Sequence, residues 1–94
     1  MFEWDAAKAA ANLVKHGVSF EDAVSVFADM EALDGPDLRH SAAEARFLRV
    51  GRAVSRSVLA VAYTVRRRDD GEVVRIISAR RASRKERRAY HEHP

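Results

Sequence analysis

Fourteen of the seventeen basic residues in this 94-residue chain are arginines. Arginine carries a planar fork of donors that grips phosphate or carboxylate groups two bonds at a time, stacks on exposed bases and keeps its charge at any physiological pH. Their distribution is more telling than their number. Residues 1–45 hold three basic side chains (Lys8, Lys15 and Arg39) against nine acids, net −6, whereas residues 46–94 hold fourteen against five, net +9. The overall charge of +3 therefore conceals two halves of opposite sign. A GC-rich coding sequence favours Arg and Ala and accounts for part of the excess, but not for its confinement to one half. The expectation is a polyanionic partner for the second half. Near the chain end Arg84, Arg87, Arg88 and His91 recur at spacings of three and four, which places four cationic or titratable groups on one helix face. Such groups repel one another unless something anionic lies opposite.

Several other chemistries lack their residues. With no cysteine there is no disulfide framework, thiolate metal site or thiol nucleophile. His91 and His93 form an H-x-H pair without a third fixed ligand, so neither a metal site nor a cofactor is expected, and His40 stands in a polar stretch with no assigned role. The longest apolar run, Val58 to Val65, falls far short of the roughly 18 to 20 residues that cross a bilayer. The first residues include Glu3 and Asp5 and no apolar segment of the secretory kind. A soluble cytoplasmic protein with one domain over residues 1–94 is expected. Its 47% hydrophobic share supports a modest core. A chain this short buries only about 60 to 65% of its unfolded surface, so a partner can matter for stability.

The elements that must position these groups follow from caps and periodicity. Asp5 is placed to cap a helix over Ala6 to Lys15, with Ala9, Ala10, Leu13 and Val14 on one face and Gly17 as its left-handed stop. Ser19 and Asp22 resemble a capping box for a second helix running to about Met30, in which Phe20, Ala23, Val24 and Phe27 form the apolar stripe. Leu33 to Ala45 reads as a turn and polar chain, although a short strand near Met30 to Asp34 can join a sheet. Strands are predicted over Arg46 to Arg52, Val58 to Val65 and Glu72 to Ala79, the last two joined as a hairpin at Asp70 and Gly71. Ser83 and Glu86 form an S-x-x-E capping box that starts a third helix at Arg84, running toward His91. The fold class is α+β: two N-terminal helices, a three- to four-stranded mainly antiparallel sheet and a C-terminal helix.

The words themselves are specific at both ends. The segment FEWDAAKAAANLVKHGVSFEDAVSVF fits the frame W-D-x-x-K-x-x-x-N-x-x-K-H-G-V-x-F-x-x-A, and VRIISARRASRKERRAY fits R-I-I-S-A-R-x-A followed by E-R-x-x-Y. Together with Tyr63 and Thr64 they resemble the BrnT family of bacterial toxins, across nearly the whole chain. Where the family pattern often has Glu-Arg-Phe, this chain has Glu44, Ala45, Arg46, Phe47, a one-residue difference in the register of the acid. The resemblance implies a RelE-like fold and a ribonuclease toxin of a type II toxin–antitoxin pair. It also implies a BrnA-type antitoxin that inhibits the toxin and carries the contacts to operator DNA, and it allows dimerisation within that complex.

RNA cleavage without metal uses the 2′-hydroxyl as an internal nucleophile. Its proton must be removed, charge on the phosphorane stabilised and the leaving 5′-oxygen protonated. Arg75 and Arg80 are the leading phosphate contacts. In a regular strand their odd and even positions point to opposite faces, so both can meet RNA only if the strand ends or bulges near Ala79. The alternative is that each is a solvated strand-end side chain or an ion-pair partner of an N-terminal acid. His16 is the natural proton donor or acceptor, with Lys15 beside it, but K-H-G also serves as a plain helix stop. Arg46, Arg84, Arg87 and Arg88 are candidate RNA-binding residues. Tyr90 either stacks on a base or anchors its helix. Trp4 and Phe2 are expected to cap the core, and Asp5, Lys8 and Asn12 to hold the first helix to the sheet or to a partner. The competing function is a non-catalytic module that uses the same arginine surface to bind nucleic acid or an acidic protein.

Overall fold

The computed structural model describes residues 1–37 and 44–93, so the proposed turn residues around His40 and Ser41 lie outside the described residues. In chain order the elements are β1 (Phe2–Glu3), α1 (Ala6–His16), α2 (Phe20–Ser25) continuing into a 3-10 turn (Val26–Ala28), β2 (Leu33–Pro36), β3 (Phe47–Arg52), β4 (Val58–Arg68), β5 (Gly71–Arg81) and α3 (Arg84–Glu92). The strands form one sheet in the order β1-β5-β4-β3-β2. Among the described residues every pairing is antiparallel except that of β1 with β5, so the sheet is mixed and has five strands rather than three or four. A two-residue strand is too short for alternation to reveal it, which is why β1 escapes a reading of the sequence.

Asp5 caps α1 by accepting from the amides of Ala7 and Lys8, at 2.8 and 3.1 Å, and Gly17 closes the helix at φ 70°. Of the apolar stripe expected on this helix, Ala9 packs against the core while the other three residues are exposed. Leu13 and Val14 are 51% and 89% exposed, and the buried residue of α1 is Asn12. Its amide nitrogen donates to the carbonyls of Val18 (3.0 Å) and Ala79 (2.8 Å), while its oxygen accepts from the Ala79 amide (3.1 Å). Because β1 pairs only with Val74 and Arg75, the β5 edge beyond them would be bare. Asn12 supplies to Ala79 the donor and acceptor that a neighbouring strand would have given.

Ser19 caps α2 by accepting from the Asp22 amide at 3.0 Å, but the capping box is only half made. The Asp22 side chain, one methylene shorter than Glu, instead takes the amide and hydroxyl of Ser55 in the β3–β4 turn, at 3.3 and 2.6 Å. The α-helix ends at Ser25, short of Met30. Ser25 explains the early stop: its hydroxyl donates to the Asp22 carbonyl at 2.6 Å, competing with the helix ladder, and accepts from Val54 at 2.9 Å.

Two cores result. On one side of the sheet, the helical face, Val18, Phe20, Ala23 and Val26 pack on Leu59, Val61, Tyr63, Ile76 and Ala79. Full burial of side chains such as Phe20 and Leu59 contributes about 1.5 to 3 kcal/mol each. Trp4 meets Phe20 edge-on at 5.9 Å and Phe2 meets Phe27 at 5.1 Å, capping this core as expected. On the second face α3 covers only one end, where Tyr90 and Ala82 pack on Val50, Val58 and Ala60. Beneath the 3-10 turn, Gly51 is the point of closest approach, since a Cβ there would lie 2.8 Å from that of Ala32 and 2.9 Å from Val26 Cγ1.

Asn12→Ala removes partners from three buried backbone groups at once, at about 1 to 3 kcal/mol for each orphaned group before relaxation. Denaturant unfolding should show a loss of at least about 2 kcal/mol for Asn12→Ala, and under about 0.5 kcal/mol for the exposed control Val14→Ala. Equal small losses would contradict the edge-clamp role.

Candidate functional site

The register of β5 against β4 decides which side chains share a surface. Ala62 pairs with Ser78 but Tyr63 pairs with Ile76, so Ile77 is an extra residue, a β-bulge. Arg75 lies opposite Thr64 and Arg80 opposite Ala60. Thr64 and Ala60 are four apart on a regular strand and share a face, so Arg75 and Arg80 do too, despite their odd and even numbers. The bulge required by the sequence argument exists, two residues earlier than Ala79. It puts both arginines on the second face.

Arg80 is held from α3. Its two terminal nitrogens donate to the two carboxylate oxygens of Glu86, at 2.7 and 3.0 Å, a fork-on-fork pair. Glu86 also completes the expected capping box, accepting from the Ser83 amide at 2.8 Å while the Ser83 hydroxyl accepts from the Glu86 amide at 3.1 Å. The Arg80 guanidinium, followed by the Ser83 amide, holds the Glu86 carboxyl down at about 2. The helix cap and the arginine clamp are thus one structure. Ser83, Lys85, Glu86 and Ala89 form one wall of a cleft whose floor is Ala60, Ala62 and Ser78, with Asp37 opposite. The floor residues are small, so a ligand can come close to the sheet.

Arg75 donates to Glu3 at 2.9 Å, and Arg68 donates to both oxygens of the same carboxylate at 2.8 and 3.0 Å. Arg75 is thereby an ion-pair partner of an N-terminal acid, one of the two alternatives set out for it. The pairing with Arg75 and Arg68 lowers the Glu3 pKa below the ordinary carboxylate range. Glu44 pairs with Arg66 at 3.4 Å. Thr64, on this face between these arginines, is 1% exposed, and among the described residues its hydroxyl has no hydrogen-bond partner.

The remaining candidates fall in different places. His16 is half-buried and Lys15 exposed at the end of α1. Neither makes a side-chain hydrogen bond or ion pair among the described residues, so no direct contact joins them to Arg75 or Arg80. His16 does stand one helical turn, about 6 Å, beyond Asn12 on the same helix side. Asn12 is bonded to Ala79, the neighbour of Arg80. Arg46 precedes β3, and its carbonyl accepts from the Asp37 amide at 2.9 Å. On α3, Arg84, Arg87 and Arg88 are exposed, but the cation lining the cleft is Lys85. Their helix face turns aside because Glu86 and Tyr90 take the inward positions.

Tyr90 is the anchor of α3 and not a stacking platform. It is 8% exposed, its hydroxyl donates to Asp29 at 2.6 Å and the Arg52 guanidinium lies over its ring at 5.9 Å. Burial and then the Asp29 bond raise the phenol's pKa. Burial opposes the charge of Asp29, but bonds from the Arg52 amide and the Tyr90 hydroxyl outweigh it and lower that carboxyl. Arg66, Arg68, Glu3 and Lys85 were missed by the sequence reading. An R-R-R run leading into a hairpin turn was the available signal for the first two.

The depressed pKa of Glu86 sets a pH dependence. Its folded value near 2 lies below the unfolded value of about 4.3, so the pair's stabilisation is complete above that range and is lost as pH falls through the interval between the two. Acid titration of folding should show the wild type losing about 1 to 2 kcal/mol over this window relative to Glu86→Gln, after allowance for partial solvent screening. Parallel acid profiles would remove the clamp.

Comparison with known proteins bears on what this site serves. A family model described as the ribonuclease toxin BrnT of type II toxin–antitoxin systems matches residues 4–86. Among solved structures the chain resembles the crystal structure of the Brucella abortus ribonuclease toxin BrnT, with 26% identity and a TM-score of 0.63, covering 89% of this chain and 99% of that one. No match was found among curated proteins. With a family model spanning most of its length, this chain belongs to the BrnT family of ribonuclease toxins of type II toxin–antitoxin systems.

Proposed function

We propose that this chain is a RelE-like, metal-independent endoribonuclease that cleaves mRNA on the second face of its sheet and so blocks translation. A BrnA-type antitoxin neutralises it and makes the contacts to operator DNA. The observation that carries the reading is the β5 bulge, which brings Arg75 and Arg80 to one face beside a floor of small residues. In the reaction the 2′-oxygen attacks the adjacent phosphorus and the bond to the 5′-oxygen breaks, leaving a 2′,3′-cyclic phosphate and a 5′-hydroxyl. Arg80 stabilises the extra negative charge on the phosphorane with donors already oriented by Glu86, while Arg75, held by Glu3 further along the same face, contacts a neighbouring phosphate. His16 moves the proton, and Lys15 adds positive charge at the same helix end. Arg84, Arg87, Arg88 and Arg46 are flanking sites for the RNA backbone.

Purified protein should cleave mRNA in the presence of EDTA. Arg80→Ala should lower the rate about 10²- to 10³-fold, as loss of a preorganised donor does. His16→Ala should lower it about 10²- to 10⁴-fold, as loss of a positioned proton-transfer group does, with the circular dichroism spectrum unchanged in both. Unchanged rates in both variants would remove these assignments. RNA binding that is steeply salt-dependent without any cutting would favour the non-catalytic binding module.

A further inference from the structure

The β4–β5 hairpin reaches beyond both cores. From Val65 to Glu72 every residue is exposed, and the turn is only Asp69 and Asp70, with Arg68 paired to Gly71 at φ 123°. Strand alternation sorts its charges. Arg66 and Arg68 follow Ala60, Ala62 and Thr64 on the second face, whereas Arg67 points to the other face and pairs there with Glu72 at 3.4 Å. Arg66 and Arg68 remain 42% and 49% exposed. Projected onto β4 at about 3.3 Å per residue, the positions of Arg80 and Arg75 on β5 and of Arg66 and Arg68 on β4 fall at roughly 0, 13, 20 and 26 Å along the strand direction.

We infer that Arg66 and Arg68, with Arg75, form a distal subsite for the phosphodiester backbone of a single-stranded RNA whose scissile phosphate lies at Arg80. The inference rests on the ribonuclease reading above and specifies the form of its substrate. A row of cations recurring along a strand suits a polymer with regularly repeated charge. A length of about 26 Å holds on the order of four extended nucleotides, the low end of single-strand site sizes. Among the described residues the aromatic rings near this row lie elsewhere: Phe47 and Tyr63 pack in the helical-face core and Tyr90 is buried under α3. Recognition is therefore by backbone charge and tolerant of sequence. Glu3 and Glu44 hold the guanidiniums in the absence of RNA, and incoming phosphates replace these carboxylates. Glu3 spans Arg68 and Arg75, so it is the acid whose removal opens most of the subsite.

The test combines cleavage and equilibrium binding of synthetic RNAs of 3, 5, 8 and 12 nucleotides, a series bracketing on the order of four nucleotides. It uses the full chain, the Arg66→Ala/Arg68→Ala double variant and Glu3→Gln. For the wild type, KM should fall several-fold from the shortest RNA to 8 nucleotides and then level off. The double variant should lose that gain while retaining kcat and its KM for the shortest RNA, and its salt slope for long RNA should fall by about 1.4, two single-strand contacts at about 0.7 each. Glu3→Gln should bind long RNA several-fold more tightly. Equal loss on short and long RNA, or unchanged binding in the double variant, would overturn the subsite, as would weaker binding by Glu3→Gln. If the wild type cuts no RNA, the ribonuclease reading fails, and the length and salt dependence of binding still judge the subsite alone.

Discussion

Opposite Ala62 and Tyr63, β5 carries one residue more than its pairing with β4 uses, and that surplus at Ile77 governs the chemistry available to the molecule. On the Ala79 side of the bulge, even-numbered residues face the open surface; on the Arg75 side, odd-numbered ones do. A regular strand with the same sequence would turn either Arg75 or Arg80 into the helical core, where an unpaired guanidinium is prohibitively costly to bury. The bulge lets β5 keep Ile76 and Ala79 in that core while presenting both arginines outward. Asn12 secures the same stretch from the edge by bonding both backbone groups of Ala79. The strand is thus bent, clamped and capped within a few residues, which is where a site needing fixed donors must be rigid.

Charge follows the same logic. The acidic first half and the basic second half do not form separate surfaces: Glu3 meets Arg68 and Arg75, Glu44 meets Arg66, Asp34 meets Arg49, and the Asp29 carboxylate accepts from the Arg52 amide. Acids from early in the chain reach strands formed late, and they position arginines more than they neutralise them, because each arginine retains donors that its carboxylate does not occupy. Exposed pairs of this kind contribute little stability, roughly 0 to 1 kcal/mol. On the second face, Glu3 and Glu44 hold the guanidiniums of Arg68, Arg75 and Arg66 spread along a row that would otherwise repel itself.

Much of this was legible in the residues. Asp5, Gly17, Ser83 and Glu86 announced the helix boundaries through local capping chemistry, and the three long strands through their Val, Ile and Leu content, because both signals act between near neighbours. What depended on long-range register stayed hidden. Periodicity on α1 pointed to Leu13 and Val14, yet the docking residue is Asn12, whose partners are 67 positions away. Local spacing leaves both roles open for Tyr90, because the choice turns on Asp29, 61 positions away. The arginine face of α3 followed correctly from helical spacing, but which side meets the cleft was set by Glu86 reaching Arg80. Arg66 and Arg68 do not stand out in the sequence, where β4 reads as ending at Val65, three residues short of its observed end at Arg68.

RNA is proposed to lie along the second face, from the α3 wall to the β4–β5 hairpin. Backbone amide shifts mapped by NMR during titration with a non-cleavable oligonucleotide, its 2′-hydroxyls replaced by hydrogen, test this most directly. Changes are expected to concentrate at Ala62, Thr64, Arg66, Ser78 and Arg80, at the start of α3 and at His16, with the exposed side of α1 around Val14 silent. Changes centred on α1 and α2, with β4 and β5 unperturbed, would contradict it.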